Sequence, residues 1–379
     1  VSFRYAAGFN KPGFDPLAAQ PTLYLYNLYT WGINGNGQLG LGDSGSYTNR
    51  SSPVQVGSLT AWSVIAGGTT HTASIKADGT FWAWGNGASG ALGLGNTTSF
   101  SSPKQVGVLT NWLSVSCGYQ DSIAIKTDGT LWAWGANYFG MLGLGNTTQY
   151  SSPKQIGAYT NWSSISSSYY WSTAIKTDGT LWSWGYNNQG QLGIGDTINR
   201  SSPVQVGSLT NWLTVSCGTY HFLATKTDGT LWTCGGNLYG ALGLNNTTYY
   251  SSPKQIGALT TWSKVAGGNY CSYAIKTDGT LWAWGQNIYG QLGIGNTTNY
   301  SSPKQIGSLA TWANVYSSTA GYGARAIKTN GTLWTWGFNN QGQLGIGNTT
   351  DYSSPKQVGS LTTWIKAATG QSFSIALSN

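Results

Sequence analysis

The sequence predicts an all-β protein, a seven-bladed β-propeller of four-stranded blades of about 50 residues each, closed into a ring by its N- and C-terminal strands. Three landmarks predict it, each returning seven times along the 379 residues. A Trp-Gly step falls at Trp31, Trp84, Trp134, Trp184, Cys234 (in place of Trp), Trp284 and Trp336. Ser-Ser-Pro begins at Ser51, Ser101, Ser151, Ser201, Ser251, Ser301 and Ser353, and a lone Trp stands at 62, 112, 162, 212, 262, 312 and 364.

Within one unit the elements read in order as strands. "SIAIKT" (122–127) and "TLWAWG" (130–135) are short runs of β-branched and aromatic residues. Asp128-Gly129 between them suits a type I′ hairpin turn, whose two central residues need positive φ. "PKQIG" (153–157) and "NWSSIS" (161–166) supply two more strands between Gly and polar breaks. No helical period lasts a helix's length. The Asp-Gly-Thr turn appears five times and once more as Asn330-Gly-Thr, one short of seven. The chain ends "SIALSN" (374–379) where a turn should follow, and "LYTWG" (28–32) lacks a partner before it. A strand at about Leu23–Trp31 pairing with one that ends near Leu377 completes the last blade and removes two open sheet edges.

"WGxNxxGQLGLG", "SSPxQ", "VSCG" and "AIKTDGTLWAWG", in that order and spacing over residues 28–379, resemble the repeat of the regulator of chromosome condensation family. The resemblance implies a seven-bladed propeller sealed by both termini. It implies less about activity, because the family includes a nucleotide exchange factor on chromatin, a plant UV-B photoreceptor, ubiquitin-ligase modules and a secreted β-lactamase inhibitor. The near-uniform units, with three extra residues at 42–49 and two at 317–325, offer no elaborated wedge for a GTPase. Only four Arg accompany the 20 Trp, against the interleaved clusters of the photoreceptor.

Composition argues against catalysis. All ten acidic residues are Asp, and five of them sit in the repeated turns. The two His, His71 and His221, hold one register in different units, so no catalytic residue is assigned. Cys117, Cys217, Cys234 and Cys271 are substitutions inside repeats, unlike a disulfide framework or zinc site, and neither metal nor cofactor is expected. No apolar run of about 18 residues exists to span a membrane. No basic and apolar leader opens the chain, so a secretory signal is expected to be absent or removed. The net charge of +8 is spread one cation per unit, unlike the concentrated stripe of a duplex-binding surface, which makes nucleic acid an unlikely partner.

That cation follows a rule. Before Ser-Ser-Pro stand Arg50, Phe100, Tyr150, Arg200, Tyr250, Tyr300 and Tyr352, and four residues later Val54, Lys104, Lys154, Val204, Lys254, Lys304 and Lys356. Arg goes with Val and an aromatic with Lys, so a cation is expected to pack on an apolar neighbour.

Positions that differ between near-identical units mark candidate binding sites. They are the loop aromatics Tyr138, Phe139, Tyr239 and Tyr289, and the register of His71, Asp121, Trp171, His221, Cys271 and Phe373, which the sixth unit replaces around Tyr322. Residues 1–22 match no repeat and form a separate arm before the propeller at 23–379, and Phe3, Tyr5, Phe9 and Phe14 equip it as a docking peg. Such an arm is similar to those of tailed-phage structural proteins. The sequence is therefore read as a non-enzymatic structural or adhesive module of a virion, joined to other proteins of an assembly by its arm. The alternative is a secreted or cell-surface propeller that binds a host-surface protein or a glycan through its loops. The expected location is virion or extracellular.

Overall fold

The computed structural model describes residues 26–45, 47–58 and 61–379. Blade 1 shows the plan. Trp62–Gly67 (strand a), His71–Lys76 (b), Phe81–Gly85 (c) and Phe100–Gln105 (d) pair antiparallel in that order. Five more blades repeat it, with a strands starting at Trp112, Trp162, Trp212, Trp262 and Trp312. All seven a strands line a central channel of about 500 Å³.

Blade 7 is built from both ends of the chain. Trp364–Thr369 and Phe373–Ser378 are its a and b strands, while Asn27–Gly32 and Arg50–Gln55 are c and d. Leu28 faces Leu377 and Trp31 faces Ser374 across the joint. Leu28, Ile375 and Leu377 are buried in one cluster with Trp62 of blade 1. The ring closes as the sequence predicts, with two N-terminal strands in the joint rather than one. Each sequence unit thus supplies the outer half of one blade and the inner half of the next, so every covalent unit ties two blades.

The Asp-Gly turns differ from expectation. Gly79 N–H donates to Lys76 O at 2.9 Å and Lys76 N–H to Thr80 O at 3.0 Å, giving a three-residue loop. Only its Gly79 has positive φ, at 78°. This is a type I turn followed by a left-handed Gly, not the two-residue I′ form. The Asp side chain explains the choice, because it folds back on its own loop. Asp78 Oδ1 accepts from the Thr80 N–H (2.9 Å) and hydroxyl (2.6 Å), and that hydroxyl accepts the Trp82 indole N–H at 2.9 Å. Above the indoles lies the Lys of strand b, with Lys126 Nζ 3.7 Å from the Trp132 ring and 4.9 Å from Trp112. Each such contact is worth about 0.5–1 kcal/mol when exposed.

In six of the seven blades the c-strand Trp of the Trp-Gly step is buried between blades, and Cys234 takes its place in the other. The indole N–H donates to a loop carbonyl of the preceding blade, as from Trp84 to Gln38 O (3.0 Å) and Trp134 to Ala91 O (3.0 Å). The Gly two residues beyond that carbonyl packs on the ring, and a Cβ at Gly93 would stand 2.7 Å from Trp134 Nε1. Near the channel, Ser116, Ser166 and Ser216 accept the backbone N–H of Ser167, Cys217 and Gly267 in the next blade at 2.9–3.0 Å. The ring interior is therefore stitched by indoles outside and hydroxyls inside. All four Cys are free and buried.

The paired positions on strand d meet as expected where they are an aromatic and a Lys. Lys104, Lys154, Lys254, Lys304 and Lys356 lie 5.1–5.6 Å from the rings of Phe100, Tyr150, Tyr250, Tyr300 and Tyr352. Arg50 and Arg200 instead bind Asp43 (2.5 Å) and Asp196 (2.6 Å). Where the partner is Tyr, the acid's place is held by an Asn, as Asn146, whose amide donates to Tyr150 Oη at 3.3 Å. Three positions, not two, vary together.

Candidate interaction surface

The loops from strand a to b and from c to d gather an arc of aromatic rings over blades 2 to 6. In its first half Tyr170 is the hub. It packs on Phe139 (5.3 Å), Tyr138 (6.2 Å), Tyr169 (4.8 Å) and Tyr119 (5.6 Å), and Phe139 stacks on Tyr186 at 4.5 Å. In the second half Tyr270 meets Tyr220 and Tyr239, each at 5.5 Å, and Tyr289 meets Tyr322 (5.1 Å) and Phe338 (4.6 Å). The four loop aromatics singled out from sequence all belong to this arc. The partners Tyr119, Tyr169, Tyr170, Tyr220 and Tyr270 were missed, although Tyr recurs just before the His71 register at 170, 220, 270 and 322. Burial, helped by neighbouring phenols, pushes Tyr169 and Tyr270 up to about 12, so these rings stay neutral. Across the loop segments 118–121, 135–140, 168–171, 185–190, 218–221, 235–240, 268–271 and 285–290, the sole Asp, Lys or Arg is Asp121. Tyr138 is 48% exposed, while Phe139, Tyr239 and Tyr289 are half-buried. Tyr270 holds a positive φ of 55°, a strained backbone for a bulky residue.

The second set of sequence-predicted sites lies elsewhere. His71, Asp121, Trp171, His221, Cys271 and Phe373 are not loop residues but the first residues of b strands, and all are buried. The reason is the neighbouring blade, which packs over this register. Ser122 donates its hydroxyl to Ala91 O at 3.1 Å, so at 3.2 Å His71 must donate its Nε2–H to Ser122 Oγ. His221 and Ser272 repeat this at 2.8 Å. The Trp171 indole donates to Thr219 O at 2.9 Å, and Ser167 Oγ donates to Asp121 Oδ2 at 3.1 Å. In the sixth blade Gly323 takes the register, and the inserted loop reaches over the channel, where Thr319 O accepts from Thr219 Oγ1. Phe3, Tyr5, Phe9 and Phe14 of the arm lie outside the described residues. Among the described residues no His, Cys and Asp group has metal-binding geometry, and no helix is long and apolar enough to cross a membrane.

Comparison with known families decides the kinship. The regulator of chromosome condensation (RCC1) repeat model matches at 27–75, 78–125, 128–175, 178–225, 228–275, 278–323 and 330–377. The chain belongs to the RCC1 repeat family. Human WBSCR16 is 20% identical with a TM-score of 0.82, over 93% of this chain and 99% of its own. Prp20p from Saccharomyces cerevisiae, described with its binding to Gsp1p and histones, is 20% identical, TM-score 0.81, over 94% and 93%. Yeast RCC1 (Prp20) bound to Kap60 is 18% identical, TM-score 0.83, over 99% and 96%. At these identities the likeness shows the fold.

Three expectations are corrected by this kinship. RCC1-type proteins of human and yeast, not virion proteins, match this RCC1 repeat chain along nearly its whole length, which overturns the reading as a virion structural module. The same finding overturns a virion or extracellular location. The exclusion of enzymatic activity is withdrawn as well, because the family to which the chain now belongs has a nucleotide exchange factor among its members. Scarcity of carboxylates weighs only against carboxylate-driven catalysis.

The buried register sets the pH dependence of this RCC1 repeat protein. Burial pulls His71 and His221 down to about 4 and pushes Asp121 up to about 8, the Ser167 hydroxyl partly opposing the latter. Between pH 4 and 6.5 the unfolded chain binds the two imidazole protons that the folded one refuses, so stability falls with acidification. Each His accounts for about 3 kcal/mol of that loss. Asp121 acts in reverse, since its folded form keeps a proton that the unfolded one releases, and stability falls as pH rises from about 4 to 8. The melting temperature should be highest near pH 6.5, and Asp121→Asn should remove the decline above pH 6.5 while steepening the loss below it. A melting temperature that is constant from pH 5 to 8 in both proteins contradicts the assignment.

Proposed function

We propose that this RCC1 repeat chain is a protein-binding propeller that engages its partner through the aromatic arc of blades 2 to 6. One observation carries the reading: three groups of uncharged rings on the loops of five neighbouring blades, with no exposed charge in those segments. Tyr and Phe held this way give large contact area at low entropic cost, which is how interface anchors work. The strain at Tyr270 supports it, because a bulky residue kept at positive φ is costly to retain for packing alone. Prp20p, with the same fold, binds Gsp1p and histones, and Kap60 is bound to it in the second yeast structure. The net charge of +8 disfavours histones as partners here, since they are strongly basic.

The test is selection of a displayed peptide library on the intact protein. Selected peptides should be apolar and aromatic, should keep their affinity in high salt, and should lose at least tenfold on Phe139→Ser with Tyr170→Ser. The melting temperature should shift by only a few degrees. Peptides that ignore these changes, or whose binding collapses with salt, reject the arc as the docking face. Nucleotide release from Gsp1p under sub-stoichiometric protein reports separately on exchange activity.

A further inference from the structure

Three grooves between neighbouring blades share one construction: two indoles, the strand-b Lys above them, a Ser-Pro step of strand d and a Leu from the linking loop; in a fourth, the Tyr159 ring lies 3.3 Å from Lys176 Nζ and the Lys does not line the groove. The three differ in one respect. In five of the six Lys-bearing turns an Asp carboxylate stands two residues after the Lys, and each such Asp is held low in part by the charge of its own Lys. The sixth turn is Asn330-Gly331-Thr332. Its geometry is unchanged: Asn330 Oδ1 accepts from the Thr332 N–H (3.2 Å) and hydroxyl (2.8 Å), and Trp334 donates to that hydroxyl at 2.9 Å. Only the negative charge is gone. Lys328 keeps its place 3.8 Å from the Trp334 ring and 4.9 Å from Trp312, and burial alone lowers its pKa.

We propose that the groove between blades 5 and 6, about 330 Å³ in volume, binds a small apolar carboxylate through Lys328. Leu309, Ile306 and Pro355 give the groove apolar walls, and Trp312 and Trp334 give it flat ones. This volume lies within the range of small-ligand pockets. A single ammonium in such walls suits a monoanion carried on an aromatic or aliphatic body. A phosphate dianion would bring more charge than one Lys meets, at a higher desolvation cost. In the other turns the Asp forms no ion pair with the Lys but is a nearby negative charge, which weakens the pull of that ammonium on a second anion. The site is separate from the aromatic arc and goes beyond the protein-binding reading.

Phenylacetate is the probe, followed by ligand-observed NMR and calorimetry on the intact chain. Wild type should bind one equivalent at millimolar affinity or better, and phenylacetamide should bind less well. Asn330→Asp installs the residue of the other five turns and should weaken binding about fivefold or more. Lys328→Met should abolish it. Asp278→Asn should open a second, equal site over Lys276. Thermal melts confirm that each variant folds. Absence of saturable binding to wild type, an unaltered affinity in Asn330→Asp, or a single site in Asp278→Asn each overturns the proposal.

Discussion

A chain cut back to residue 371 is expected to lose its cooperative fold, although it keeps 371 of its 379 residues. The strand removed, Phe373–Ser378, lies between Trp364–Thr369 and Asn27–Gly32 and pairs with both. All six of its residues are buried. Its loss leaves two ladders without partners and opens the clusters that hold Leu28, Ile375, Leu377 and Trp31. Burial of a large aliphatic or aromatic side chain contributes about 1.5–3 kcal/mol, so losing Phe373, Ile375 and Leu377 together costs roughly 4.5–9 kcal/mol, comparable with the roughly 5–15 kcal/mol by which a folded domain exceeds its unfolded state, and the unpaired backbone adds to that loss. Circular dichroism and calorimetry should find no sharp transition, and the opened edges should aggregate. A truncated chain that melts cooperatively near the wild-type temperature would show that blade 7 does not close the ring.

Phe222 and Cys234 should behave as one unit. In the other blades the c-strand Trp faces a small b-strand residue: Thr72 opposite Trp84, Ser122 opposite Trp134, Ser272 opposite Trp284. In blade 4 the sizes are exchanged, with Phe222 opposite Cys234 and both within about 3 Å of where a Cβ on Gly193 would stand. The Phe ring fills the space that the indole fills elsewhere. Phe222→Ser should therefore cost about 3–5 kcal/mol through the cavity it leaves. Cys234→Trp should be destabilising too, because two rings cannot share that space. The double variant should recover most of either loss, since a serine on strand b facing an indole on strand c would restore the arrangement of the other blades. Chemical denaturation of the four proteins measures the coupling. Additive losses in the double variant would sink the idea of exchanged volumes.

Much of the fold could be read from the sequence because repetition exposes what one copy hides. Seven recurrences of Trp, Ser-Ser-Pro and Trp-Gly fixed the count, and the unmatched ends at 28–32 and 374–379 told how the ring closes. The aromatic–Lys half of the strand-d rule read the packing correctly, because both partners lie four residues apart on one strand, whereas the Arg of the Arg–Val units turns to an Asp outside the strand. What escaped was contact across blades. His71 touches Ser122, and Ser167 touches Asp121, at separations of 51 and 46 residues. Local pattern carries no sign of such neighbours, so a register that varies looked like a loop when it was covered by the next blade. The aromatic arc was half legible for the same reason: Tyr138, Phe139, Tyr239 and Tyr289 stood out in their loops, while their tyrosine partners belong to a different connection. The Asp-Gly pair pointed to the wrong turn because its side-chain bond to the following Thr outweighs the two-residue preference.

The half-blade offset of the repeat also bears on how such a gene can change. Loss or duplication of one fifty-residue stretch anywhere in the middle would bring together an outer half and an inner half that already fit, and the terminal halves would remain mates. Recombination among near-identical copies could thus shrink or enlarge the circle without leaving any seam unmatched, and the copy number would be held at seven by the wedge angle of the packed sheets alone.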